Sequence, residues 1–175
     1  VNVSGYDPAD VDTPKGVNRV GVPANAVESA DAVIAVTQGE EAVGAIKQAL
    51  EQIPKTAIYA DFSSNTPTAK MIMAEMAADK GFDFVDIALM GTVPGRGLST
   101  PALASGKGAQ RFVENFRSLG MPVDIVSDVA GDAASRKLLR SIMMKGLAGT
   151  VIEAMRGAEK AGCADWLWRN LVEEI

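Results

Sequence analysis

Short runs of apolar, often β-branched residues alternate with segments of helical period over the first three quarters of the chain, and that alternation limits the fold more than any other feature. Asp31-Ala-Val-Ile-Ala-Val-Thr37 is nearly continuous in apolar character, the pattern of a strand buried on both faces of a parallel sheet. Residues 56–61 and 82–89 repeat it, and 122–126 reads as the last strand. Between them lie helices expected at 40–53, 68–80 and 110–119; Pro67 stands at a favoured first-turn position and Gly120 at a stop. A short strand is expected at 101–105, extended chain at 1–6 and 17–22, and a helical turn at 24–29. Such an order predicts an α/β, doubly wound parallel sheet.

The character changes near Gly131. Residues 132–161 hold no proline, and Leu138, Ile142, Leu147, Val151 and Met155 recur at helical spacing up to the stop at Gly162. One helix of roughly 30 residues, about 45 Å long, is expected there as a spacer opening an all-helical domain. Asp165 is expected to cap a further helix whose stripe is Trp168, Leu171, Val172 and Ile175. The domain division is therefore 1–129 and 130–175. A pattern already under way at Val1 and a stripe without a partner at Ile175 read as two cut ends.

With 47% hydrophobic and 22% charged residues, the chain can pack a core. Its net charge of −5 and the absence of a basic cluster argue against a nucleic-acid partner. There is no histidine and one cysteine, Cys163, which excludes His-based triads, disulfides and common zinc sites within this chain. Acid–base chemistry is left to Lys, Asp, Glu, Tyr or water. No apolar run approaches the ~18 residues of a membrane span, so a soluble, cytoplasmic protein without a membrane partner is expected.

A strand ending in acid, as Val3-Ser-Gly-Tyr-Asp7 does, fits the second strand of a dinucleotide-binding unit, where the carboxylate bonds the ribose and disfavours a 2′-phosphate; Asp7-Pro8 is equally a turn pair. The companion glycine loop should lie about 20 residues upstream, before Val1.

Several ordered motifs carry a family resemblance. Asp61-Phe-Ser-Ser64-Asn-Thr-Pro67 is similar to Asp-x-Ser-[Ser/Thr]-x-x-Pro, and Asp86-Ile-Ala-Leu-Met-Gly91-Thr-Val stands where Asp-Ala-Pro-Val-Ser-Gly-Gly is usual. Gly131 leads to Lys137, and Glu153-Ala154 and Gly162 follow in order. The chain resembles the β-hydroxyacid dehydrogenases, relatives of 3-hydroxyisobutyrate and 6-phosphogluconate dehydrogenases. Gly131–Ser141 resembles most a bacterial subgroup of unsettled substrate.

The resemblance implies a Rossmann-type domain lacking its first strand and glycine loop, with NAD or NADP as cofactor and NAD favoured by Asp7. It implies that Lys137 is the general acid/base, which requires burial or a neighbouring cation to lower its proton affinity; by helical spacing Arg140, one turn on, and Lys145, two turns on, could share its side. Ser141 would touch the same substrate oxygen, in place of the usual asparagine. Gly91, Thr92, Val93 and Lys145 would bind the substrate, expected to be a small anion, and Asp7, Val36, Thr37 and Ser64 the cofactor. Met90 departs from the family's serine and makes an ordinary 3-hydroxy acid doubtful. No metal is expected, and a homodimer through the helical domain is. An imine reductase of the same lineage and a non-catalytic cofactor-binding or dimerisation module are the alternatives. The methionines at helical spacing, such as Met71, Met73 and Met76, read as packing.

Overall fold

The computed structural model describes residues 1–174, in two compact units, Val1–Lys137 and the residues from Leu138 onward. In the first unit β1 (Val3–Gly5) pairs in parallel with β2 (Val17–Arg19), and α1 (Pro23–Val27) follows, started by Pro23 at its first turn. A second sheet holds β3 (Ala32–Ala35), β4 (Ile58–Asp61), β5 (Asp83–Leu89), β6 (Ala102–Ser105) and β7 (Val123–Ser127), in that spatial order. Helices α2 (Ala42–Ala49), α3 (Pro67–Lys80) and α4 (Ala109–Arg117) connect its strands. The α/β, Rossmann-type architecture is thus present, with parallel pairing dominant.

Three expectations need correction within it. First, β3 is not buried on both faces: Ile34 is 41% exposed, and Val36 just after the strand 77%, because β3 stands at the end of the five-stranded sheet, away from the strands on which α4 mainly packs. The strands enclosed on both faces are β4, all four residues of which are buried, and β5, buried from Phe84 to Ala88. Second, β6 runs antiparallel to β5, since residues 90–101 contain one short 3-10 turn and no crossover helix to return the chain to the same end. Third, the helix expected at 40–53 is shorter: a 3-10 turn at Gly39–Glu41 precedes α2, which stops before Leu50, although Ile53 still joins the core.

Two apolar clusters flank the five-stranded sheet. Ile46, Tyr59, Met73, Ala77 and Phe84 pack on one side, and Ile58, Val85, Ile87, Phe112 and Val123 on the other. Such burial stabilises by about 25 cal/mol per Å² of apolar surface removed from water. It makes the sheet a rigid platform whose carboxyl edge carries the loops described below.

Helix α5 (Asp132–Lys160) is a single helix, and Gly162 at φ +72° follows its end. Its first turns belong to the first unit and the rest to the second, together with α6 (Ala164–Glu174). Asp165 lies inside the first turn of α6, not at its cap, because the Cys163 carbonyl already accepts from Leu167 N–H. Leu171 is half-buried, Trp168 and Val172 are exposed, and Ile175 lies outside the described residues. No helix among the described residues is long and apolar enough to cross a membrane.

Candidate active site

Two buried aspartates stand side by side on the neighbouring strands β4 and β5. Asp61 closes β4 and Asp86 lies in β5, paired in register, and both are fully enclosed. An unpaired buried carboxylate costs several kcal/mol, so each must be met by a cation or by N–H and O–H donors. Lys70, in the first half of α3, supplies the cation: its Nζ lies 2.7 Å from Asp61 Oδ2 and 3.1 Å from Asp86 Oδ1 and donates to the Asp61 carbonyl at 3.0 Å. The Lys70 side chain is 1% exposed. Ser63 adds its Oγ–H to Asp61 Oδ2 at 2.8 Å and its N–H to Oδ1 at 3.2 Å.

Asp86 reaches further. Its Oδ2 accepts the Ala134 N–H at 2.9 Å and the Ser105 hydroxyl at 3.3 Å, while Ser105 Oγ accepts the Ala133 N–H at 3.0 Å. These N–H groups open α5 and would otherwise lack acceptors. The sheet therefore caps the long helix, with a carboxylate at the positive end of its dipole. Gly131, at φ +98°, lets the helix start this close: a Cβ there would lie 2.8 Å from the Pro67 carbonyl oxygen.

One turn beyond the cap, Lys137 Nζ donates to Ser64 Oγ at 2.7 Å. Ser64 is fixed by its loop. Asn65 Nδ2 donates to the Gly39 carbonyl, and Thr66 caps α3 by accepting the Ala69 N–H at 3.2 Å. A Cβ on Gly39 would fall 2.4 Å from the Ser64 carbonyl oxygen, so the loops after β3 and β4 touch at that glycine. Burial lowers the pKa of Lys137 from the ordinary lysine value, the Lys70 ammonium lowers it further, and Asp86 opposes both. A cation set against Lys137 is thus Lys70, which stands on a different element, α3. Tyr59, by contrast, is pushed far above the phenol range, by burial first and Asp61 second, and stays neutral.

The other expected residues sit as follows. Val36 and Thr37 follow β3 at the same carboxyl edge as Ser64; Thr37 Oγ1 is buried without a hydrogen-bond partner among the described residues. Gly91, Thr92 and Val93 are exposed in the loop after β5, and among the described residues their N–H groups donate to no protein acceptor. Gly91 faces Arg96, Thr100 and Pro101 rather than Lys137; a Cβ on it would lie 3.2 Å from an Arg96 guanidinium nitrogen. Met90 is half-buried, and its N–H donates to the Pro101 carbonyl. Asp7 follows β1 and is exposed, with Oδ1 accepting the Ala9 N–H at 2.8 Å in the Asp-Pro turn. Ser141 and Lys145 belong to the second unit.

Sequence reasoning missed Lys70, Ser63, Ser105 and Arg96. For Lys70 a signal existed: it shares the buried face of α3 with Met73 and Ala77, at spacings of three and four residues. Among the described residues no group of three or more His, Cys, Asp and Glu side chains is placed to hold a metal ion.

A family model described as the NAD binding domain of 6-phosphogluconate dehydrogenase matches residues 3–122. A conserved hypothetical protein from Sinorhizobium meliloti 1021 superposes with a TM-score of 0.82 at 27% identity, over 99% of this chain and 62% of that one. A conserved protein of unknown function, described as structurally similar to 3-hydroxyacid dehydrogenases, gives 0.77 at 26% identity over 89% of this chain and 58% of its own. An imine reductase variant from Myxococcus stipitatus in complex with NAD+ gives 0.83 over 99% of this chain and 64% of its own; at 16% identity that likeness is one of fold. The chain spans less than two thirds of each of these three proteins.

Proposed function

Because this chain belongs to the family of the NAD binding domain of 6-phosphogluconate dehydrogenase, we propose that it is the cofactor-binding part of an NAD(P)-dependent dehydrogenase acting on a small anionic hydroxy acid or a related carbonyl compound. The observation that supports this most is the half-buried Lys137 bonded to Ser64 at the carboxyl edge of the sheet, with its proton affinity lowered. Open α/β sheets bind ligands at that edge.

The residues present suit the cofactor. Thr37 brings a buried hydroxyl that lacks a protein partner among the described residues, Val36 an exposed apolar surface, and Asp7 a carboxylate with one oxygen committed to its own turn. Asp7 favours NAD over NADP, a choice that comparing the two affinities by calorimetry would test. A bound nicotinamide supplies the acceptor or donor of hydride. Lys137 as the neutral amine takes the substrate hydroxyl proton at Nζ during oxidation, and as the ammonium returns it during reduction. Ser64 accepts one N–H and so fixes the direction of the amine. The N–H groups of Gly91, Thr92 and Val93, with Arg96 beside them, suit a carboxylate. The substrate roles of Ser141 and Lys145 rest on the resemblance alone.

Turnover of small hydroxy acids with NAD+ and NADP+ tests the reading in the protein that bears this chain. Lys137→Ala is expected to lose roughly 10²–10⁴-fold in kcat, with cofactor affinity changed less than about twofold. Equal turnover in variant and parent contradicts the role. Met90, half-buried at the end of β5 where the family has serine, favours a second reading as an imine reductase; reduction of cyclic imines in the same assay separates the two. Absence of NAD(P) binding would leave a non-catalytic module. The proposed working state is a cytoplasmic homodimer.

A further inference from the structure

We propose that Lys70 is a positioning residue for Lys137: by bridging Asp61 and Asp86 beneath the first turn of α5, its ammonium holds that turn on the sheet and fixes the charge behind Lys137. The inference rests on the reading of Lys137 as the proton carrier.

The geometry supplies the argument in steps. An ammonium as enclosed as Lys70 persists only with compensating charge, and two carboxylates at 2.7 and 3.1 Å provide it. The cluster then carries one net negative charge. The N–H groups of Ala133 and Ala134 meet that charge, directly and through Ser105. The start of α5 is in this way part of the ion cluster. Lys137 lies three residues after Ala134, on the next turn of the same rigid helix, so its reach to Ser64 follows from where the cap is held.

Lys70 also acts through its field. The charged groups that bear on Lys137 from packed elements are Lys70 on α3 and Asp86 on β5, with Asp61 of β4 completing the cluster; on its own helix stand Asp132, Arg136 and Arg140, and Arg136 is paired with Asp132 at 3.5 Å. Lys70 favours the neutral amine and Asp86 the ammonium. Removing one or the other should therefore move the titration of Lys137 in opposite directions, which loss of structure alone would not do.

Competitive acetylation by acetic anhydride, read at the Lys137 peptide by mass spectrometry across pH, measures that titration without cofactor or substrate. The parent protein, Lys70→Met and Asp86→Asn are compared, each checked for a cooperative melt. The midpoint at Lys137 is expected to rise in Lys70→Met, to fall in Asp86→Asn, and Lys70 itself to stay unlabelled in the folded parent. If Lys70→Met does not fold, the near-isosteric Asp86→Asn and the protection of Lys70 carry the test. Midpoints that stay put or shift the same way, or ready labelling of Lys70, overturn the proposal. Opposite shifts in a protein that oxidises no hydroxy acid would uphold this inference and sink the dehydrogenase reading. Where turnover is present, kcat/KM of Lys70→Met should fall on the order of a hundredfold, as displacement of a catalytic group by about 1 Å does.

Discussion

Lys137 holds its proton against two opposing forces, and its pH behaviour follows from their sign. Desolvation and Lys70 both penalise the ammonium, so the native pKa lies below that of the unfolded chain. Between those two values the unfolded chain binds more protons than the native one, and stability rises with pH there. The penalty is fully present while Lys137 is protonated in both states and is relieved as pH rises through the native pKa. Lys137→Met removes the penalised charge and keeps the stem, so it should melt higher than the parent at pH 7, with the gain shrinking as pH approaches 10. Thermal melts at both values check this, and a parent more stable than the variant at pH 7 would contradict the assigned environment. Such a gain in stability would accord with the role proposed for Lys137, since groups that serve function are often held at a cost in stability. The lysine was legible in the sequence, because Gly131 and Lys137 stand in a recognisable order. The partner that tunes it was not: Lys70 is 67 positions away in sequence, and only the folded α3 brings it beneath α5.

At the scale of elements, the site depends on where α5 begins. Gly131 sits at φ +98° with the Pro67 carbonyl oxygen 2.8 Å from where a Cβ would stand. Gly131→Ala therefore meets both backbone strain and a clash with another helix's first turn, and should cost about 1–3 kcal/mol in chemical denaturation. It should also loosen the Lys137–Ser64 contact, read as faster acetylation of Lys137 at fixed pH. Gly157→Ala, in the interior of the same helix with open space at its Cβ, is the control and should be neutral or stabilising. The order of strands and helices and the extent of α5 were legible because period and punctuation are local signals: Pro67 and Gly162 mark ends in the chain itself. Register and direction are not local. Nothing in Pro101-Ala-Leu-Ala-Ser105 tells that β6 turns back antiparallel to β5, and the apolar run at β3 does not tell that it ends a sheet. The capping of α5 by Ser105 and Asp86 joins residues 28 and 48 positions apart, a separation that no motif read along the chain encodes.

At the scale of the whole molecule, the second unit poses a question of burial. Of its apolar side chains, Ile142 is 70%, Trp166 60%, Trp168 54% and Val172 62% exposed, and Ala158 is its one buried residue among those described. Helices that expose so many apolar side chains are not expected to leave that face uncovered in water. Apolar surface of that extent commonly marks an interface, and the proposed homodimer supplies its occupant as a second copy of the same helices. The two tryptophans of the chain both lie in α6, so their emission reports directly on that surface. On dilution over a roughly thousandfold range, mass action should release the dimer, with a fall in sedimentation coefficient and a red shift of the emission at the same concentration. Trp168→Lys together with Val172→Lys places two charges in the interface, each costly to desolvate, and should move the midpoint to higher protein concentration by at least about tenfold. Emission and sedimentation that are independent of concentration in both proteins would show that these helices are covered by something other than a second copy.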